Sequence, residues 1–114
     1  AIDVLSASFI DDKIAWYEND GNQDFTEQII STTADAPASV YALDIDVDGD
    51  MDVLSASAYD DKIAWYKNNG NQTFTEAIIS TNADDARSVY ALDIDGDGDI
   101  DVLSASNRDD KIAL

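Results

Sequence analysis

The sequence predicts an all-β fold made of β-propeller blades, which are four-stranded antiparallel sheets, with one blade about every 49 residues. Two observations lead to this prediction. The hexapeptide DVLSAS occurs at Asp3–Ser8, Asp52–Ser57 and Asp101–Ser106, a spacing of 49 residues in both steps. Residues 3–49 and 52–98 are identical at 36 of 47 positions. Repeats of about 40 to 50 residues are typical of propeller blades or of helical repeats, and the absence of helical periodicity favours blades.

Each repeat contains four short runs of β-forming residues, labelled a to d, with turn-rich segments between them. Four strands per repeat is the composition of a propeller blade. A β-sandwich also explains short strands, but it does not explain the near-identity at a fixed spacing. Positions that differ between the copies, among them Glu18 and Ala36–Ala38, are assigned to turns. The expected strands are a at Ser39–Asp46 and Ser88–Asp95, b in the three DVLSAS copies, c at Lys13–Tyr17 and Lys62–Tyr66, and d at Phe25–Ser31 and Phe74–Ser80.

In chain order the strands are b-c-d, a-b-c-d and a-b-c, or about two and a half blades. Residues 1–38 are expected to form an incomplete blade without its inner strand, and residues 39–87 a complete blade. Residues 88–114 are expected to form an incomplete blade without its outer strand. Propellers close with typically 4 to 8 blades. We therefore expect the chain to be part of a longer array of blades or to form a homo-oligomer with further copies of itself.

A loop with five aspartates at alternate positions joins strand a to strand b in each repeat. The first acidic loop, DIDVDGDMD, spans Asp44–Asp52, and the second acidic loop, DIDGDGDID, spans Asp93–Asp101. Ca²⁺ takes about 6–8 oxygen ligands, and glycine at loop position 6 permits a sharp reversal of the chain. Positions 1, 3, 5 and 9 offer carboxylates, and position 7 offers its backbone carbonyl. The sequence therefore predicts two structural Ca²⁺ ions, held by Asp44, Asp46, Asp48, Asp50, Asp52, Asp93, Asp95, Asp97, Asp99 and Asp101.

Three alternatives to a calcium loop within a β-hairpin fit the sequence less well. An EF-hand shares the D-x-D-x-D-G pattern, but it has Glu at position 12 and flanking helices. Here position 12 is Ser55 or Ser104, and both flanks have strand character. Mg²⁺ requires a stricter octahedron and usually keeps several waters. A metal-free acidic hairpin leaves five carboxylates to repel one another.

Composition narrows the function classes further. Lys plus Arg number 6 against 25 Asp plus Glu, for a formal net charge of -19, so neither nucleic acid nor an anionic membrane surface is an expected partner. No apolar run approaches the roughly 20 residues needed to span a bilayer, so no membrane insertion is expected. The chain has no histidine and no cysteine, and no serine in a nucleophile-elbow pattern. We therefore predict that it is not an enzyme.

Aromatic residues recur in register between the repeats. We predict that they pack between blades, because large rings fill such interfaces well. A platform on which sugars stack is the alternative. The residues are Trp16, Trp65, Tyr17, Tyr66, Tyr41 and Tyr90.

The motif DIDGDGDIDVL, flanked by strands and repeated together with DDKIAWYKNNGNQTF, resembles the FG-GAP/VCBS family. These are the repeats of integrin-α-type β-propellers and of many secreted bacterial proteins, and the resemblance covers essentially the whole chain. It implies Ca²⁺ bound through positions 1, 3, 5 and 9 and the carbonyl at 7. Asp3 is position 9 of a third loop whose other ligands would precede the chain start, so no site is assigned there.

The resemblance also implies a secreted, extracellular, calcium-stabilised scaffold for adhesion or binding, with a protein or a glycan as its ligand. A self-assembling structural repeat protein is the alternative function. A carbohydrate-binding lectin is a third.

Overall fold

The computed structural model describes residues 2–114, which form ten β-strands in three antiparallel sheets. The sheet orders are β1-β2-β3, β4-β5-β6-β7 and β8-β9-β10, and we call these sheets the first, second and third blades. The predicted order b-c-d, a-b-c-d, a-b-c is confirmed. The chain is thus all-β with sheets of propeller-blade type, and these sheets do not close into a barrel within residues 2–114. The strands are β1 Val4–Ser8, β2 Lys13–Asn19, β3 Phe25–Ser31, β4 Pro37–Leu43, β5 Asp52–Ser57, β6 Lys62–Asn68, β7 Phe74–Ser80, β8 Ala86–Leu92, β9 Asp101–Ser106 and β10 Lys111–Ala113.

The bounds of strand a differ from the prediction. Strand β4 begins at Pro37 and ends at Leu43, not at Ser39 and Asp46. Proline is compatible with the first position of a strand, where its missing N–H removes no interior ladder bond, and the pairing of β4 with β5 is irregular between Pro37 and Ser39. The division into blades at 38/39 and 87/88 stays a prediction, and β4 and β8 begin just before those limits.

Strand c is longer than predicted. It reaches Asn19 in β2 and Asn68 in β6. Glu18 pairs with Thr26 of β3, so the assignment of Glu18 to a turn was wrong. A sequence difference between two repeats is thus no proof of a turn, because a half-buried strand position also tolerates substitution.

The core consists of two apolar clusters on opposite faces of the second blade. Successive side chains of a strand point to opposite faces, and all six residues of β5 are buried. Val53 packs in the cluster shared with the first blade, next to Ile14. Leu54 packs in the cluster shared with the third blade, next to Val89. Strand β5 is therefore covered on both faces, whereas the outer strand β7 of the same blade is largely exposed.

Residues 2–114 contain no helix that is long and apolar enough to cross a membrane.

Candidate metal centres and junction contacts

The two acidic loops connect β4 to β5 and β8 to β9, at equivalent places in the second and third blades. The glycine at position 6 has a positive φ in both, 96° at Gly49 and 97° at Gly98. Position 4 also has a positive φ, 61° at Val47 and 79° at Gly96. The left-handed backbone at these positions turns the chain tightly, and glycine adopts it without the steric cost that valine meets.

The first acidic loop is organised around Asp44. Its Oδ1 accepts the backbone N–H of Asp48 at 3.0 Å, and its Oδ2 accepts that of Gly49 at 2.9 Å. Asp44, Asp46 and Asp48 each place one carboxylate oxygen within 4.8 Å of the others. The tight turn of the loop backbone therefore brings three carboxylates close together.

The second acidic loop has the same organisation around Asp93. Its Oδ1 accepts the backbone N–H of Asp97 at 3.2 Å, and its Oδ2 accepts that of Gly98 at 2.9 Å. An additional bond runs from the N–H of Gly96 to Oδ1 at 2.7 Å. The oxygens within 4.8 Å of one another belong here to Asp93, Asp95 and Asp101.

Position 9 has a structural role as well. Asp52 is fully buried. Its Oδ2 accepts the N–H of Ile45 at 3.2 Å and its Oδ1 that of Asn68 at 2.8 Å. Asp101 Oδ2 accepts the N–H of Ile94 at 3.0 Å in the same way. These carboxylates fix the start of each acidic loop to the strand that follows it.

The structure brings together some of the predicted ligands and not others. Positions 1, 3 and 5 converge in the first loop, and positions 1, 3 and 9 in the second. Asp52 and Asp97 lie outside these clusters, and position 7 (Asp50, Asp99) belongs to neither. Asp50 instead directs its carboxylate towards the β6–β7 turn, where a Cβ added to Gly70 would lie 3.0 Å from Oδ2. The three converging carboxylates of each loop form a donor set that fits a hard divalent cation.

Lys67 is a site residue that the sequence analysis missed. It lies on β6, and its ammonium forms an ion pair with Asp46 and a second one, at 3.0 Å, with Asp48. It also lies 5.9 Å from the centre of the Trp65 ring. The signal in the sequence was the change from Glu18 to Lys67 at equivalent places of two repeats, which reverses a charge.

The Asp-Asp turns between strands b and c also contribute contacts between blades. The second aspartate of each pair has a positive φ, 57° at Asp12 and 54° at Asp61. Its side chain reaches the next blade. Asp12 Oδ1 accepts the N–H of Ala36 at 3.0 Å, and Asp61 Oδ1 accepts that of Asp85 at 2.9 Å. We call these two hydrogen bonds the junction clasps, because each joins one blade to the following one.

A polar network surrounds the clasp between the second and third blades. The Asp85 carboxylate accepts hydrogen bonds from Asn107 Nδ2 at 3.0 Å and from Arg87 Nη2 at 3.2 Å. The hydrogen bond from Asn107 and then the one from Arg87 hold the pKa of Asp85 below its ordinary value, against the opposing effect of burial. The carboxylate is therefore favoured as an anion in the folded chain.

The recurring aromatic residues take several different places. The rings of Tyr41 and Tyr90 pack against each other with centroids 4.5 Å apart, and Tyr66 is only 1% exposed. The indole of Trp16 donates to Asp3 Oδ2 at 3.1 Å. The contact between Tyr41 and Tyr90, which lie on β4 and β8, joins two blades as the packing prediction requires.

A cleft of about 550 Å³ lies between the first and second blades, next to the first acidic loop. Leu5, Trp16 and Ile30 line it from one side, and Asp50 and Phe74 from the other. Its walls combine apolar rings with carboxylates.

Comparison with known families gives one match. The model of the FG-GAP-like repeat family matches residues 1–55 and again residues 44–104. The two matches together span most of the chain, and they overlap across the first acidic loop. Neither the proteins of curated function nor the solved structures include a significant match to the chain.

Proposed function

Because the chain belongs to the FG-GAP-like repeat family, we propose that it is a calcium-stabilised, extracellular β-propeller repeat module that acts as a binding or adhesion scaffold. The observation that carries the calcium proposal is the convergence of three carboxylates in each acidic loop, Asp44, Asp46 and Asp48 in one and Asp93, Asp95 and Asp101 in the other. Each of these six residues occupies one of positions 1, 3, 5 and 9, which are the carboxylate positions expected from the sequence pattern.

The chain's own residues prepare this function. Asp44 and Asp93 hold the turn of each loop through backbone N–H groups, while Asp52 and Asp101 hold the chain that enters the loop. A bound Ca²⁺ supplies the positive charge that offsets the repulsion among the loop carboxylates. Since a ligand that binds only the folded state stabilises it, metal binding free energy becomes folding free energy.

The extracellular part of the proposal rests on the availability of calcium. Calcium sites of extracellular modules are as weak as about 10⁻⁴–10⁻³ M, and a calcium-rich compartment would fill the two loops even at that affinity. The net charge of -19 adds to the demand for cations and disfavours nucleic acid as a partner. We propose a scaffold without catalytic activity, whose ligand is a protein or a glycan.

A structural, self-assembling protein is the second candidate function. Within residues 2–114, β1 pairs only with β2 and β10 only with β9. A strand edge with unpaired N–H and C=O groups is a template for pairing with another chain. Further blades of a longer chain, or a second copy of this one, are the occupants that would fit these edges.

Calcium titration tests the main proposal. At a Ca²⁺ concentration about 100 times the dissociation constant, each site is expected to add about 2.7 kcal/mol to the free energy of unfolding. Thermal unfolding in Ca²⁺ and in chelator, together with titration calorimetry, measures this. Asp46→Ala and Asp95→Ala are each expected to remove the contribution of one loop.

The matched control is Asp24→Ala, which removes the same charge at an exposed position outside both loops. It is expected to keep the full stabilisation by calcium. Absence of binding heat, together with equal unfolding temperatures in Ca²⁺ and in chelator, would contradict the proposal.

The two candidate functions differ in solution mass. A discrete particle whose mass is the same in Ca²⁺ and in chelator supports a scaffold, whereas a large calcium-dependent assembly supports the structural candidate. Retention of the discrete particle on a glycan array identifies a glycan as its ligand.

A further inference from the structure

We propose that Lys67 is an internal counter-ion that competes with Ca²⁺ for the first acidic loop and so sets the calcium affinity of that loop. The inference rests on the calcium binding proposed above. It concerns a residue outside the D-x-D-x-D-G-x-x-D motif, on the neighbouring strand β6.

The geometry supports competition for the same oxygens. The Lys67 ammonium contacts carboxylates at positions 3 and 5, Asp46 and Asp48. These are two of the three residues whose oxygens converge in this loop. A Ca²⁺ ion requires carboxylate oxygens at about 2.3–2.6 Å, and a lysine ammonium beside the same oxygens repels it. Binding of the metal therefore requires the Lys67 side chain to leave.

Lys67 is able to leave because it is not confined. Its side chain is 38% exposed, and those of Asp46 and Asp48 are 26% and 36% exposed. Ion pairs of this kind contribute little each, because solvent screens them. The lysine thus lowers the affinity for calcium without abolishing it, and it holds the loop together when calcium is scarce.

The first blade provides the comparison inside the same chain. In the first blade, the place equivalent to Lys67 is taken by Glu18, of opposite charge. The repeat therefore accepts either charge at this place, so the positive charge of Lys67 beside the first acidic loop is not a requirement of the fold.

The test is a calcium titration of three chains that differ at position 67: the parent, Lys67→Gln and Lys67→Glu. In an Asp95→Asn/Asp97→Asn background, which weakens the second loop, calorimetry reports on the first. Lys67→Gln is expected to tighten calcium binding about tenfold, the effect of two half-exposed ion pairs taken together. Lys67→Glu is expected to tighten it further. The same order is expected in the chain with both loops intact, from a two-site fit.

A second readout separates competition from a merely structural role. In chelator, Lys67→Gln is expected to lower the unfolding temperature, because the carboxylates lose their counter-ion. In saturating calcium the same variant is expected to gain more stability from the metal than the parent chain does. A lysine that only supports the fold would lower stability in both conditions and leave the affinity unchanged.

Lys111→Gln is the matched control. Lys111 is 44% exposed and pairs with Asp109 at 3.4 Å, away from both acidic loops. It loses the same charge, so it is expected to change the affinity of the first loop by less than about twofold. If Lys67→Gln binds calcium no more tightly than Lys111→Gln while calcium still binds, the inference about Lys67 is overturned and the proposed function stands. If neither the parent chain nor Lys67→Gln binds calcium, both are overturned.

Discussion

The two junctions between blades share a backbone design and differ in their side chains. At the first junction Asp12 accepts the N–H of Ala36, and at the second Asp61 accepts that of Asp85. A backbone bond accompanies each clasp: the N–H of Ala58 donates to the carbonyl of Ala36, and that of Asn107 donates to the carbonyl of Asp85, both at 3.0 Å. These bonds recur with the 49-residue spacing.

The side chains around the two clasps change as a set. The first junction has alanine at all three places, Ala36, Ala38 and Ala58. The equivalent places of the second junction hold the hydrogen-bonded network of Asp85, Arg87 and Asn107. The comparison shows that the clasps are common to both junctions while the side chains around them differ. Because the buried Asp85 carboxylate requires hydrogen-bond partners, we expect the three side chains to be exchangeable only together.

The largest expected effect comes from introducing the aspartate of the second junction, without its arginine and asparagine partners, at the equivalent place of the first junction. Ala36→Asp places a carboxylate at a position only 1% exposed and without a cationic partner. We expect it to lower the free energy of unfolding by about 3 kcal/mol, the cost of an uncompensated buried charge. Urea unfolding at fixed calcium measures it.

Adding Ala38→Arg and Ala58→Asn to the Ala36→Asp variant is expected to restore most of this loss. A triple variant no more stable than the single one would contradict the exchange of side chains as a set.

An intermediate and equal effect is expected from removing either clasp. Asp12→Ala and Asp61→Ala each leave a buried backbone N–H without its acceptor, which costs about 1–3 kcal/mol. Asp12→Asn and Asp61→Asn keep an acceptor oxygen and suit the positive φ, so they are expected to stay close to the parent in thermal stability. A loss confined to one junction would show that its side chains, and not the shared clasp, hold the blades together.

The smallest effect is expected for Asp85→Ala, and it depends on pH. The pKa of Asp85 in the folded chain lies below its usual 3.8, so the carboxylate stabilises the fold above that value. This stabilisation is lost as pH falls from about 4 through the lower folded-state pKa. The difference in free energy of unfolding between the parent and Asp85→Ala should therefore be constant near neutral pH and shrink in acid. A constant difference down to pH 2 would exclude the network as its source.

The sequence predicted the strands best where turn residues flank them on both sides. The bounds of Phe25–Ser31 and Asp52–Ser57 match the structure. The start of strand a was placed two residues late, because Pro37 and the variable residues beside it have the composition of a turn. Local composition does not reveal that Pro37 pairs with Ser57 of β5.

Contacts at the candidate site were predictable only where they are local. Convergence of Asp44, Asp46 and Asp48 follows from a tight loop with glycine at position 6. The clasp from Asp61 to Asp85 spans 24 residues, and no pattern in the sequence gives the partner of an aspartate at that distance. Lys67 lies on β6, 19 residues after Asp48 of the acidic loop, so only the packing of β6 beside the loop brings the two side chains together.

The Asn68 side chain connects the outer turn of the second blade to the acidic loop. Its Nδ2 donates to the carbonyl of Met51, and its Oδ1 accepts the N–H of Gly70. Asn19 makes the same pair of bonds to Ile2 and Gly21 in the first blade. The amide proton of Gly70 is therefore a remote reporter of the first acidic loop: with calcium bound there as proposed, we expect its exchange with solvent to slow.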